Sequence, residues 1–338
     1  MSNEAKALKQ QKGNKVDLQK LLAPAALVIL FVFFFCFGVF GNNVDGVTFI
    51  TNVLEASYFV GFLALGVTFA IITGGIDLSI GTIMMCGALI GGYMYNTLGV
   101  PFIVSIIVTV LIPTGFGLFN GLMIAKLKLP AFIATLGTMM ISQGLGAIVT
   151  SVQTQRWPTA AEADGWFKTV FLKDAATGFP TGIFWLAGFF LLAMFLLNKT
   201  KFGKYTFAIG SNEEAARLSG VKTAKWLTLV YVVNGLFCGF AALMYGAAYT
   251  TILPSTGNGL ELQGIAAVVI GGTSLAGGVG SMSGTLIGVF IMSVLKQGLT
   301  AIGLPPQWQT FFVGVVVILA VLMDIYRQKS ANKVKVAA

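Results

Sequence analysis

The chain has 338 residues, of which 56% are hydrophobic and only 10% charged. A soluble domain carries about 25% charge, so a soluble globular protein is excluded and a multi-spanning membrane protein is indicated. The net charge of +9 is not a nucleic-acid footprint, because the basic residues sit in short segments flanking apolar runs. The lack of histidine removes histidine-based catalysis, metal ligation and proton relays together.

Taken in chain order, Met1–Lys20 places Lys6, Lys9, Lys12, Lys15 and Lys20 ahead of the apolar run Leu21–Phe40. That run is longer than the core of a signal peptide, and Ala23-Pro24-Ala25 precedes its apolar stretch, so it reads as a retained first span at 21–41. Further spans are predicted at 48–73, 79–97, 101–125, 130–152, 181–198, 225–248, 262–273, 281–299 and 307–325. The one at 262–273 is short and broken by glycine. Cys36, Cys86 and Cys238 fall inside apolar runs and read as small buried hydrophobes.

The lysine and arginine bias sets the orientation. With the N-terminus inside, 17 of the 21 basic residues fall on cytoplasmic segments. They are the N-terminal five, Lys126, Lys128, Lys199, Lys201, Lys204, Arg217, Lys222 and Lys225, with Arg327, Lys329, Lys333 and Lys335 in the tail. The predicted fold is an all-α polytopic membrane protein of about ten transmembrane helices, with both termini cytoplasmic. It divides into a basic N-terminus at 1–20, a transmembrane domain at 21–325 and a tail at 326–338. Within it, 151–180 is extracytoplasmic and 199–224 is the longest cytoplasmic connection.

A Gly-rich, polar interruption between apolar runs occurs twice. Sliding 70–92 onto 267–289 without a gap makes 10 of 23 positions identical. The first copy carries Gly74, Gly75, Asp77 and Ser79; the second carries Gly271, Gly272, Thr273, Ser274, Gly277 and Gly278. The pattern favours an internal duplication whose two copies run in the same direction. Asp77 lies between two spans, where an uncompensated charge is costly. It reads as an N-cap accepting from the N–H of Ser79 or Ile80, in preference to a solute ligand or a gate. Ser274, at the matching place in the second copy, is also a cap former.

The outer segment 151–180 interleaves Arg156, Glu162, Asp164, Lys168, Lys173 and Asp174 with Trp157, Trp166 and Phe167, which suits an interface belt or a docking surface. The inner segment contains Ser211-Asn212-Glu213-Glu214-Ala215-Ala216-Arg217-Leu218-Ser219-Gly220. Ser211 or Asn212 supplies an N-cap, Glu213 and Glu214 occupy the positive first turn, and Gly220 supplies a left-handed stop. A helix of about two turns does not hold itself in water. From its residues alone it is either a solvated connector or a knob on which a cytoplasmic partner pushes.

Five motifs run in order between about 48 and 325. The first three are Gly74-Gly75-Ile76-Asp77-Leu78-Ser79-Ile80-Gly81, Pro130-Ala131-Phe132-Ile133-Ala134-Thr135-Leu136-Gly137-Thr138 and Thr200-Lys201-Phe202-Gly203-Lys204. The fourth is Ala208-Ile209-Gly210 leading into 211–220, and the last is Glu261 followed by Ile265-Ala266-Ala267-Val268-Val269-Ile270 and the second Gly-rich copy. Together they resemble the permease subunits of bacterial ATP-binding-cassette importers for ribose, xylose, galactose and related monosaccharides. Gln263-Gly264 departs from the Asp-Ala of many relatives. The resemblance implies a chain in the bacterial inner membrane that pairs with a second copy or a paralogue around one pathway. It implies two cytoplasmic ATPase subunits, which handle ATP and Mg, no cofactor in this chain, and an extracytoplasmic sugar-binding protein that delivers a monosaccharide. It also implies that 211–220 is the coupling helix seated in the ATPase.

The residues add no catalytic site. The glycines of Gly272–Gly278 lack the Lys-Ser/Thr of a phosphate loop, and Ser293-Val294-Leu295-Lys296 has no supporting motif, so ATP hydrolysis is expected on another subunit. Asn120, Gln143, Asn234, Gln263 and Gln309, with Asn52 and Trp308, are the polar side chains in or opening the spans. Interhelical hydrogen bonding is their default use, and lining a pathway is the alternative. The rival reading is a self-sufficient channel or ion-coupled secondary transporter for a small polar solute, with Asp77 as the acid deep enough to couple.

Overall fold

The computed structural model describes residues 18–336, with side chains described from 22 to 326. The lysines of 1–20 and the basic residues of the tail lie outside the described side chains. Helix α1 (Leu18–Phe35) continues through a π-helical turn at Cys36–Gly41. Then follow α2 (Gly46–Ile72), α3 (Ile80–Asn96), α4 (Phe102–Ala125) and α5 (Ala131–Val149). An outer segment holds strand β1 (Gln155–Arg156) and α6 (Trp166–Phe171). After it come α7 (Gly182–Lys199), α8 (Lys201–Ser211), α9 (Glu213–Leu218) and α10 (Thr223–Ala248). Strand β2 (Thr251–Ile252), α11 (Leu260–Ile270), α12 (Met282–Ala301) and α13 (Pro306–Val336) complete the chain.

Ten of these helices match the ten predicted spans to within a few residues, except that α13 continues to Val336, eleven residues beyond 325. Among the described residues, eight are long and apolar enough to cross a bilayer; the other two are α3, with 17 residues, and α11, with 11. The protein is an all-α polytopic membrane protein. Helix α2 is its axis: from Ala56 to Ile72 it is buried and, apart from Ser57 and Thr68, apolar, and it packs against α7, α10, α11 and α12. A helix apolar on all sides belongs in the interior, and this one is surrounded by other helices before lipid begins. The outer faces of α1, α4, α5, α7 and α13 expose large apolar side chains, as lipid-facing surfaces do.

Association in lipid relies on close packing, and the tightest seam joins α4 to α10. Gly117 and Gly121 on α4 face Gly235 and Thr228 on α10, and Gly239 meets Val110 one turn further along. A Cβ at Gly117 would lie 3.0 Å from the Gly235 Cα, and one at Gly239 would lie 2.8 Å from the Val110 Cα. The backbones touch because these positions carry no side chain to hold them apart.

The outer segment is a folded cap. Strand β1 pairs antiparallel with β2. Trp157 is wholly buried, donates its indole N–H to the Ala88 carbonyl at 3.1 Å and stacks on Phe167 with 5.1 Å between ring centres. The charges pair locally: Lys173 with Glu55 at 2.8 Å, Arg156 with Glu162 at 3.0 Å, and Tyr95 donating to Asp164 at 2.9 Å. Of the predicted aromatics, Trp157 and Phe167 turn inward and only Trp166 stays exposed, so the segment seals the outer helix ends and is not a continuous aromatic belt.

Candidate functional site

The two Gly-rich turns end their helices in the same way. After α2, Gly74 N–H donates to Ile71 and Gly75 N–H to Ala70; after α11, Gly272 N–H donates to Val269 and Thr273 N–H to Val268. This pattern needs a left-handed residue, supplied by Gly74 (φ +81) and Gly272 (φ +92). The geometric match is Gly74 with Gly272, one residue off the ungapped alignment, which pairs Gly74 with Gly271. The packing also differs. Helices α11 and α12 close on each other, with Gly284 against the Gly271 carbonyl and Gly288 against Ala267. Helix α3 instead leans away from α2 onto α4, with Gly87 against Thr109 and Pro113. The second ascending helix starts only at Met282, capped by Ser281, five residues later than the repeat predicts.

Both turns meet the 199–224 connection at one place. Gly278 N–H donates to the Ile72 carbonyl at 2.8 Å, joining second turn to first. The end of α8 is wedged between them. A Cβ on Gly210 would strike the Ile72 carbonyl, one on Gly277 would lie 2.8 Å from the Gly210 carbonyl, and one on Gly278 would lie 2.8 Å from Ser211 Oγ. Asp324, near the inner end of the last span, accepts from the Leu275 N–H at 3.1 Å and ties α13 to the same joint. The sequence reading does not single out Asp324; an acid closing an apolar run is the available signal.

Helix α9 projects directly from this joint. Its cap is Asn212, whose side chain accepts from the Ala215 N–H at 2.9 Å; Ser211 instead closes α8. Glu213 and Glu214 occupy its first turn and Gly220 (φ +85) ends it, as the residues predict. Ala216 is buried against the protein while Leu218 is 78% exposed. Glu214 pairs with Arg217 at 2.5 Å, and the Glu213 carboxylate accepts from Lys128 Nζ at 3.0 Å. The Arg217 hydrogen bond and charge lower the Glu214 pKa from its ordinary value, and Glu214 raises that of Arg217. Lys128 lies in the α4–α5 loop beside Leu127, which is 70% exposed, so two separate connections meet on one face.

Above the joint, Asp77 organises a buried polar chain. Thr138 Oγ1 donates to Asn120 Oδ1 at 2.5 Å, Asn120 Nδ2 to Ser79 Oγ at 3.0 Å, and Ser79 Oγ to Asp77 Oδ1 at 2.6 Å. The Ser79 N–H also donates to Asp77 Oδ1 at 2.9 Å, and Asn234 Nδ2 to Oδ2 at 2.8 Å. Asp77 therefore accepts from Ser79, one of its two expected partners, but the N-cap position itself is held by Ser79. Ser274 makes the equivalent contact, accepting from the Ala276 N–H at 3.3 Å. Asn120 and Asn234 are fully buried and engaged in interhelical bonds. Gln309 donates to Thr300 at 2.9 Å between α13 and α12, and Asn52 is exposed on α2. Gln143 reaches the Ser255 carbonyl at 3.4 Å, and Gln263 is half-buried in the first turn of α11. Thr273 is buried with no hydrogen-bond partner for its hydroxyl among the described residues.

Residues 49–321 match the family described as "Branched-chain amino acid transport system / permease component". Among curated proteins, the chain is 39% identical to the ribose import permease protein RbsC of Bacillus subtilis (strain 168), covering 83% of this chain and 85% of the relative. It is 34% identical to RbsC of Escherichia coli (strain K12), covering 91% and 95%. It is 33% identical to the fructose import permease protein FrcC of Rhizobium meliloti, covering 94% and 91%. No solved structure matches the chain. With ten helices around a buried axis and a match spanning most of its length, the chain belongs to this family of transport-system permease components.

Proposed function

We propose that this chain is the translocation subunit of an ATP-driven monosaccharide importer in a bacterial inner membrane. In this reading it pairs with a second permease chain, two cytoplasmic ATPase subunits act on α9, and an extracytoplasmic binding protein delivers the sugar. The relatives compared above are named for ribose and fructose, and these names favour a sugar over the amino acids of the family description. The observation that carries the coupling role is the mounting of α9. A capped, charged, exposed helix is too short to stand alone, yet it is rooted by backbone contact in the turns that end α2 and α11. A push on it reaches the buried axis without passing through a flexible side chain.

Co-reconstitution with its ATPase and binding protein in proteoliposomes tests the reading. D-ribose uptake is expected to require ATP, and Glu214→Lys or deletion of 211–220 is expected to abolish uptake while the protein still inserts. Uptake by the chain alone, without ATPase, would overturn the reading and support the ion-coupled rival.

A further inference from the structure

The connection between β2 and α11 does not stay at the membrane surface. Ile252 pairs with Gln155, which lies beside Gly92 near the outer end of α3. Five residues later Gly257 packs on Gly81 and Met85, at the opposite end of the same helix. Gly81 and Met85 lie eleven and seven residues from Gly92, or about 16 and 10 Å along a helix axis, and the chain from Ile252 to Gly257 covers that descent with a turn at 254–255. The segment 253–259 therefore descends alongside α3 to the depth where α3 begins. Helix α11, with only 11 residues, begins at that level.

The descending segment has no regular secondary structure, is polar (Ser255, Thr256, Asn258), and is bent by left-handed residues at Ser255 (φ +66), Gly257 (φ +110) and Gly259 (φ +92). Ser255 and Asn258 are exposed. Irregular backbone at membrane depth is tolerated where protein or a water-filled cavity covers it, and never against lipid tails. Gln143 on α5 leans onto Ser255, and Gly137 and Gly144 leave the neighbouring α5 surface open. Glu261 is buried and pinned to the Gly259 N–H at 2.9 and 3.0 Å, which fixes the base of the segment. Asn258 and Gln263 make no side-chain hydrogen bond among the described residues.

We infer that 253–259 is a re-entrant segment forming a polar wall of the aqueous translocation route, where Asn258, Gln143 and Gln263 offer exchangeable hydrogen bonds to the hydroxyls of a monosaccharide. The inference rests on the importer reading for the identity of the solute, but its accessibility claim does not depend on ATPase coupling. Carboxamides, exposed at Asn258 and half-buried at Gln143 and Gln263, fit the task, since they donate and accept without holding a neutral polyol as tightly as a charge would.

Thiol labelling in proteoliposomes tests it. In a C36S background, S255C and N258C are each treated with a membrane-impermeant sulfonated methanethiosulfonate, beside the lipid-facing control I107C. S255C and N258C are expected to react at least about tenfold faster than I107C, with N258C slowed by D-ribose during turnover of the full complex. Labelling no faster than the control would overturn the wall whatever the transported solute. Separately, N258L is expected to lower ATP-driven ribose uptake by about tenfold or more with assembly intact, and N258Q to restore most of it. Unchanged uptake by N258L would overturn the sugar contact, whereas wild-type uptake after deletion of 211–220 would overturn only the coupling reading.

Discussion

Asp77 is a buried acid whose three hydrogen bonds come from Ser79 and Asn234, with no lysine or arginine paired to it among the described residues. Its neighbour's remaining acceptor, Asn234 Oδ1, has no partner among the described residues. In D77N, the amide introduced by the substitution would therefore be satisfied by a flip of the Asn234 carboxamide. D77N is expected to retain stability to within about 1 kcal/mol and to keep ATP-driven uptake, whereas D77A should lose about 1–3 kcal/mol by leaving buried donors unpaired. Thermal unfolding of the solubilised protein and uptake in vesicles check both. Abolished uptake in D77N with unchanged stability would mark Asp77 as an ion-coupling acid. Gly210 is the second decisive residue, because its missing side chain lets α8 touch Ile72. G210A is expected to reduce uptake by more than about tenfold while the ATPase still co-purifies, and G188A, at an open position on α7, is expected to be neutral.

Among the elements, α9 depends on its cap. Loss of the Asn212 side chain removes one hydrogen bond at a helix of six residues, so N212A should cost about 0.5–2 kcal/mol locally. The expected readout is faster hydrogen exchange across 213–218 with the rest of the protein unchanged. The Glu214–Arg217 pair sets a pH dependence of definite sign. The folded-state pKa of Glu214 is depressed, so the pair's contribution is fully present above the ordinary carboxylate value of about 4.3 and is lost as pH falls through the lower folded value. Protection in α9, taken relative to the intrinsic exchange rate at each pH, should thus be insensitive to this pair between about pH 5 and 8 and fall only in stronger acid. Screening keeps the effect small at so exposed a site.

For the whole molecule, the α4–α10 seam sets how close the two helices stand, and the polar chain from Thr138 through Asn120, Ser79 and Asp77 to Asn234 links α5 and α4 to α10. A larger residue there has no room to relax, since the opposing atoms are backbone. G235L is expected to lower the thermal midpoint or the yield of monodisperse protein, at a cost of about 1–3 kcal/mol or more, whereas I107A on the lipid-facing side of α4 should change neither. The outer cap adds a second constraint, since Trp157 inserts between α3 and α10 beside Gly92 and Gly246 and holds their outer ends together.

Periodicity and charge determined the ten spans, most of their limits and the capped stub at 211–220, because these follow from local physics: a bilayer needs about twenty apolar residues, and a cap acts within about four residues of itself. Even the terminal glycine Gly220 was legible, since the left-handed backbone it supplies is a local demand. Only the tertiary structure decided what the glycines pack against, that Gly210 is wedged between two turns distant from it in sequence, that Asp324 anchors one of them, and that a polar stretch after β2 descends into the membrane. Those contacts join residues that share no periodicity and no spacing, so they arise from how ten helices pack together and leave no mark on any one of them.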